Sequence, residues 1–140
     1  DGKIFVSDTK NNVVYQFDYT PPSGLELETK IIVTGGPNGL FYRPPHLYIV
    51  TWNSGKVMFY CTKGKEFHYL TEGYKQLDGV WVEGNDIIFS SWDGKIYSLS
   101  GDRKVVLFKN LVSPADISIV NHVILIPEFM EDRIRIEKLE

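Results

Sequence analysis

The chain lacks the features that disulfide-bonded, membrane-spanning and nucleic-acid-binding proteins need. Its 140 residues include one cysteine, Cys61, so no disulfide forms within it, and we expect a buried thiol in a strand. No apolar run approaches the ~20 residues that cross a bilayer. Lysine and arginine are scattered and the formal net charge is −3, without the basic patch that phosphates require. We therefore expect no membrane or nucleic-acid partner, and a soluble protein of the cytoplasm or the periplasm.

Helix signals and the motifs of common enzyme classes are also scarce. The sequence has no Gly-rich phosphate loop, no zinc-ligand cluster and no nucleophile elbow. Its apolar residues alternate or run together over four to seven positions, with Val, Ile, Tyr, Phe and Trp dominating. Gly, Asn, Asp and Pro separate these runs. The sequence therefore predicts an all-β fold.

A unit of roughly 40 residues recurs along the chain. Each unit opens on a short motif, continues as an apolar run that ends in an aromatic residue, and then turns into a third run. The openers are Pro37-Asn38-Gly39-Leu40, Leu77-Asp78-Gly79-Val80 and Pro114-Ala115-Asp116-Ile117, and the aromatic residues are Trp52, Trp92 and Phe129. A period of that length built only of strands predicts the blades of a β-propeller.

The repeat predicts about three and a half four-stranded blades. We expect an incomplete blade over residues 1–35, two whole blades over 36–74 and 75–112, and a second incomplete blade over 113–140. Closed propellers typically carry four to eight blades, so we expect part of a larger ring. An open half-ring leaves blade faces and edge strands unpaired. We therefore expect the chain to associate with itself or with a missing half of the propeller.

Several of these segments resemble known propeller families. The segment from Gly2 to Val14 resembles an NHL-type blade, in which a strand ends in Asp and a short Asn-bearing turn leads to a Val-rich strand. Asn38-Gly39-Leu40 and Asp78-Gly79-Val80, one blade apart, resemble the gluconolactonase, regucalcin and senescence-marker-protein family. The segment from Ser113 to Ile134 is similar to the last blade of its bacterial members. The resemblance implies a six-bladed ring of which this chain forms the C-terminal part.

The same resemblance implies a metal site. In that family an Asn and an Asp from successive blades bind one divalent cation at the mouth of the central channel, which implies Asn38 and Asp78 as ligands of Ca²⁺, or of Zn²⁺, Mg²⁺ or Mn²⁺. Asp78 would also be the catalytic general base in the hydrolysis of a sugar lactone. The family's remaining carboxylate comes from the first blade, and Ala115 has no ligand atom at the third opener. The implied site is therefore incomplete within one chain.

The same residues also have structural explanations. Asn-Gly and Asp-Gly are frequent turn dipeptides. Asp116, which aligns with Gly39 and Gly79, is a weaker candidate for binding a ligand, and we favour a role in capping its turn. Trp52 and Trp92 could stack on a sugar or a peptide, but their recurrence also predicts packing between blades.

Two functions remain open from the sequence. We favour a propeller that binds a ligand or a protein through its rim and carries a vestigial or incomplete metal site. The alternative is the C-terminal part of a divalent-metal-dependent lactonase, with a small lactone or sugar as its substrate.

Overall fold

A computed structural model describes residues 2–139, and they form four antiparallel sheets of three, four, four and three strands. Each sheet is a meander in which consecutive strands pair. The all-β propeller prediction is confirmed. The strands are β1 (Lys3–Asp8), β2 (Val13–Thr20) and β3 (Gly24–Ile32); β4 (Pro37–Arg43), β5 (His46–Thr51), β6 (Val57–Cys61) and β7 (Glu66–Thr71); β8 (Leu77–Glu83), β9 (Asp86–Ser91), β10 (Lys95–Ser100) and β11 (Arg103–Phe108); and β12 (Ser118–Val120), β13 (Val123–Glu128) and β14 (Arg133–Lys138).

Each sheet is one blade, and the apolar core consists of three layers between successive blades. Side chains alternate between the two faces of a strand, so one strand supplies two layers. In β5, Ile49 packs toward the first blade and Val50 packs toward the third. In β9, Phe89 packs toward the second blade and Ile88 toward the fourth. The second and third blades therefore each bury apolar side chains on both faces.

The opener motifs lie within the inner strands and not in turns. Asn38-Gly39 belongs to β4 and Asp78-Gly79 to β8, and each pair sits where the register with the next strand shifts, as in a β-bulge. The turn interpretation of these two dipeptides is therefore wrong.

The two glycines are required because the inner strands of successive blades approach closely. A Cβ atom on Gly39 would lie 2.0 Å from the carbonyl oxygen of Asp78. A Cβ atom on Gly79 would lie 2.6 Å from the amide nitrogen of Ile117 and 2.8 Å from the Cα of Asp116. Only glycine permits this contact between backbones.

Serine hydroxyls fasten neighbouring blades at the same level. Ser7 Oγ donates a hydrogen bond to the carbonyl oxygen of Asn38 at 2.7 Å. Ser90 Oγ donates to the carbonyl oxygen of Ala115 and accepts from the amide of Gly79, both at 2.7 Å. Ser7 is the next-to-last residue of β1 and Ser90 the next-to-last residue of β9, and each bonds to the inner segment of the following blade. The same contact therefore recurs two blades later.

The buried carboxylate of Glu128 joins the last blade to the segment before it. It accepts hydrogen bonds from the amide of Val112 at 2.7 Å and from Nε of Arg133 at 2.6 Å. The guanidinium of Arg133 holds the pKa of Glu128 below its usual range. A one-turn 3-10 helix, Phe129–Glu131, follows and replaces the turn of the other blades. Within residues 2–139, no helix is long and apolar enough to span a membrane.

Alanine at Gly39 or Gly79 is expected to destabilise the protein, because a methyl group there meets the backbone of the next blade. Overpacking of this kind costs about 1–3 kcal/mol of unfolding free energy. Gly64→Ala is the matched control, since Gly64 also lacks a left-handed φ and its Cβ would meet only the flexible side chain of Glu66. Urea denaturation measures the difference. Equal midpoints for Gly79→Ala and Gly64→Ala would contradict the close approach of the strands.

Candidate functional site

Residues of all four blades line one pocket beside the inner strands, and the three candidate site residues in it come from three successive blades. Asn38 comes from β4, Asp78 from β8, and Asp116 from the segment before β12. The pocket has a volume of about 380 Å³, and Phe5 and Leu40 are among its apolar walls. The structure therefore brings the two proposed metal ligands and the weaker candidate Asp116 to one place. The inner strands begin at one edge of the blades, and we call this edge the site rim.

Asp78 is half-buried, and its carboxylate is held by an indole. Trp92 Nε1 donates a hydrogen bond to Asp78 Oδ2 at 3.0 Å. Burial raises the pKa of Asp78, the charge of Asp116 adds to this increase, and the hydrogen bond from Trp92 opposes it. One carboxylate oxygen of Asp78 thus accepts a hydrogen bond from the protein.

Asn38 has its amide nitrogen turned toward the next blade. Nδ2 donates a hydrogen bond to the carbonyl oxygen of Leu77 at 3.3 Å, and Ser7 holds the backbone of Asn38 from the preceding blade. With the nitrogen committed in this way, the amide oxygen is the atom that a ligand would meet. That oxygen accepts hydrogen bonds and can coordinate a hard cation.

Asp116 supplies the third polar side chain in place of Ala115. Its Oδ1 accepts a hydrogen bond from the amide of Ile117 at 3.0 Å, so it does bond to its local backbone. The same residue also lines the pocket, and it is more exposed than Asn38 or Asp78. Partial removal from water by the surrounding protein raises the pKa of Asp116, and the hydrogen bond from the amide of Ile117 partly offsets this increase. The local backbone bond and a place in the pocket are therefore compatible.

The recurring aromatic residues form a row along the site rim. The ring centroids of Trp52 and Trp92 are 4.8 Å apart with an edge-to-face angle of 79°. Those of Trp92 and Phe129 are 5.8 Å apart. The row therefore packs blade against blade, while Phe129 remains 64% exposed. Trp92 connects this row to the pocket through its bond to Asp78.

The donor set of the pocket decides which metals it suits. Two carboxylates and an amide oxygen are hard ligands of the kind that Ca²⁺ and Mg²⁺ prefer. Neither His nor Cys lines the pocket, and these are the usual ligands of Zn²⁺. Across residues 2–139, no group of three or more His, Cys, Asp or Glu side chains is arranged to hold a metal ion. A cation here would therefore rest on few protein ligands.

Two features of the structure have no clear signal in the sequence. The first is the hydrogen bond from the Trp92 indole to Asp78, although the recurrence of Trp just after the second strand of a blade is a hint of it. The second is a larger cleft of about 940 Å³ between the third and fourth blades, lined in part by Glu83, Asp86, His122 and Lys138. Glu83 and Asp86 flank one turn, between β8 and β9, whereas His122 and Lys138 belong to the fourth blade, so no spacing in the sequence links the two pairs.

Comparisons with known proteins support the fold. No protein-family model matches the chain, and no curated protein matches it in sequence. Among solved structures, it is similar to the computationally designed Ika4 protein, at 8% identity and a TM-score of 0.73, over 100% of this chain and 87% of that one. It is also similar to streptogramin B lyase, at 16% identity and a TM-score of 0.75, over 99% of this chain and 52% of that one.

A third similar structure is a chain of a nidogen/laminin complex, at 17% identity and a TM-score of 0.65, over 96% of this chain and 65% of that one. The chain thus spans about half the length of the streptogramin B lyase chain and about two thirds of the chain from the nidogen/laminin complex. Identities this low show the fold alone. The shared feature is the β-propeller.

The two neighbours of Asp78 are expected to shift its pKa in opposite directions. Trp92→Phe removes the hydrogen bond that lowers the pKa, so the pKa rises. Asp116→Asn removes the charge that raises it, so the pKa falls. Carboxyl ¹³C chemical shifts followed through a pH titration measure both changes. Movement in the same direction in the two variants would contradict the geometry described for this pocket.

Proposed function

We propose that this partial propeller is a binding module that takes a cationic ligand, in the first place Ca²⁺, in the pocket of Asn38, Asp78 and Asp116. One observation carries the proposal: the pocket has two carboxylates, and its eight lining residues include no Lys, Arg or His. The negative charge of the site is therefore not compensated by its own lining. A bound cation would supply that compensation and lower the pKa of both carboxyls.

The three side chains have different parts in this proposal. Asp78 would bind through the oxygen that Trp92 does not hold, and Asn38 through its amide oxygen. Asp116, the most exposed of the three, would complete the site from the fourth blade. Ca²⁺ takes six to eight oxygen ligands, so water would fill the remaining positions. Few protein ligands and much water favour a weak site, with a Kd of roughly 10⁻⁴–10⁻³ M.

Calorimetric titration with CaCl₂ tests the proposal. We expect the wild-type chain to bind with a Kd of roughly 0.1–1 mM, in the range of weak calcium sites. Asp78→Asn is expected to weaken binding at least about tenfold, because one full ligand charge is lost. Asp102→Asn is the matched control, since Asp102 lies in the exposed turn between β10 and β11. Absence of Ca²⁺ binding, or equal losses in the two variants, would overturn the proposal.

The second candidate function is the hydrolysis of a lactone with Asp78 as general base. The raised pKa of Asp78 favours it, because a carboxylate of higher pKa is a better proton acceptor. A divalent cation, when bound, would polarise the carbonyl of the lactone. Asp78 would take a proton from the attacking water and return it to the ring oxygen as the ring carbon–oxygen bond opens.

A screen of sugar lactones separates the two candidates. Hydrolysis would have to require both added Ca²⁺ and the Asp78 carboxylate, and its rate would rise with pH as Asp78 ionises. Asp78→Asn should then abolish turnover, while Asp102→Asn should retain it. Ca²⁺ binding without such turnover would leave the binding module as the function. Turnover that survives in Asp78→Asn would exclude Asp78 as the base.

A further inference from the structure

The outward face of the first blade is an unpartnered apolar surface. Ile4 and Val6 point away from the second blade and are 40% and 47% exposed, whereas Phe5 between them packs against Tyr42 of that blade. Residues that pair across strands share a face. Ile4 pairs with Phe17, and Phe17 pairs in turn with Leu27. We call this surface, made of Ile4, Val6, Tyr15, Phe17 and Leu27, the leading face.

The outward face of the last blade is apolar as well. Ile124 and Ile126 are buried against the third blade, so the alternate residues of β13 point outward. Leu125 pairs with Ile136, which is 67% exposed. Val120 is 58% exposed and Ile134 is 63% exposed. We call the surface of Val120, Leu125, Ile134 and Ile136 the trailing face.

The repeat shows what the leading face is built to contact. Strand β1 corresponds to β5, β9 and β13 of the other blades, and Val6 lies two residues before its end, as Ile49, Phe89 and Ile126 do in those strands. Those three residues are fully buried against the preceding blade, and Val6 is the exposed exception. The leading face thus has the composition of a surface that receives a preceding blade.

The trailing face shows the converse pattern. Ile134 pairs with the next-to-last residue of β13, and Val14, Val57 and Ile96 have the same pairing in their own blades. Val14, Val57 and Ile96 are fully buried against the following blade. Ile134 is the exposed exception. The trailing face therefore has the composition of a surface that receives a following blade.

We propose that the trailing face of one chain docks on the leading face of a second copy. We call such a contact between a trailing and a leading face a joint, and two joints close a ring of two chains. The three joints inside the chain are the template, because each one brings a face of the trailing type against a face of the leading type. A second copy of the chain offers both a trailing face and a leading face in one molecule. Contacts of this kind are heterologous, and they form a ring when the rotation closes.

Blade number and area agree with a ring of two chains. Two copies contribute eight sheets, at the upper end of the four to eight blades of closed propellers and above the six that the family resemblance implies. A face of six residues by three strands measures roughly 20 by 14 Å. Two joints bury four faces, or roughly 1,100 Å² in projection, close to the ~1,200 Å² at which stable interfaces begin.

Sedimentation equilibrium at tens of micromolar tests the proposal. We expect a mass of about twice the 16.1 kDa of the chain. Val6→Lys on the leading face and Ile134→Lys on the trailing face should each give monomers, because each variant loses one partner of every joint. Tyr69→Lys is the control, since Tyr69 is 67% exposed on the second blade and lies on neither face. It should leave the dimer unchanged.

A mixture of the two variants provides the sharper measurement. Val6→Lys retains an intact trailing face and Ile134→Lys an intact leading face, so an equimolar mixture can form one intact joint with about half the buried area of the ring. The mixture should therefore associate more strongly than either variant alone, and more weakly than the wild-type chain. Circular dichroism of each variant checks that it remains folded. A monomeric wild-type chain, a mass well above two copies, or a mixture that associates no more strongly than the separate variants at the highest attainable concentration would overturn the proposal. Ca²⁺ binding is measured separately, so its failure would leave this test intact.

Discussion

Each blade of this chain buries its apolar side chains against the neighbouring blades, since a sheet of three or four strands has no interior of its own. The position of every residue near the axis depends on this packing. Because inner strands meet backbone to backbone at Gly39 and Gly79, successive blades are held at one spacing. The hydrogen bonds from Ser7 and Ser90 to carbonyl oxygens of the following blade are directional and reinforce that contact.

The pocket at the site rim is a product of the same packing. Asn38, Asp78 and Asp116 lie in different blades and share a wall only because their strands are brought into contact. The close approach also leaves Asp78 half-buried near Asp116, which is why the pKa of its carboxyl is raised. The first two opener motifs therefore each have both a structural and a chemical role. The glycine sets the distance between successive inner strands, and the polar residue supplies the carboxylate of Asp78 or the side-chain amide of Asn38.

The sequence was sufficient for the elements but not for their contacts. Alternating apolar runs and a period of roughly 40 residues identified the strands and the propeller, because both signals are local. The dipeptide Asn38-Gly39 does not reveal the role of Gly39. A glycine in a turn and a glycine that lets two backbones approach can both follow an asparagine. The place of Asp116 depends on irregular backbone before β12, where the side chain after Ala115 lines the pocket. The indole bond of Trp92 likewise requires the two strands to be assembled.

The meander order of the strands has a consequence for synthesis of the chain. Every strand pairs with a strand that is its neighbour in sequence, and each apolar layer joins only consecutive blades. No strand pairing among the described residues waits for a distant segment, so each hairpin closes a short loop. The chain can therefore fold progressively as it leaves the ribosome, each blade completing the layer left open by the one before it.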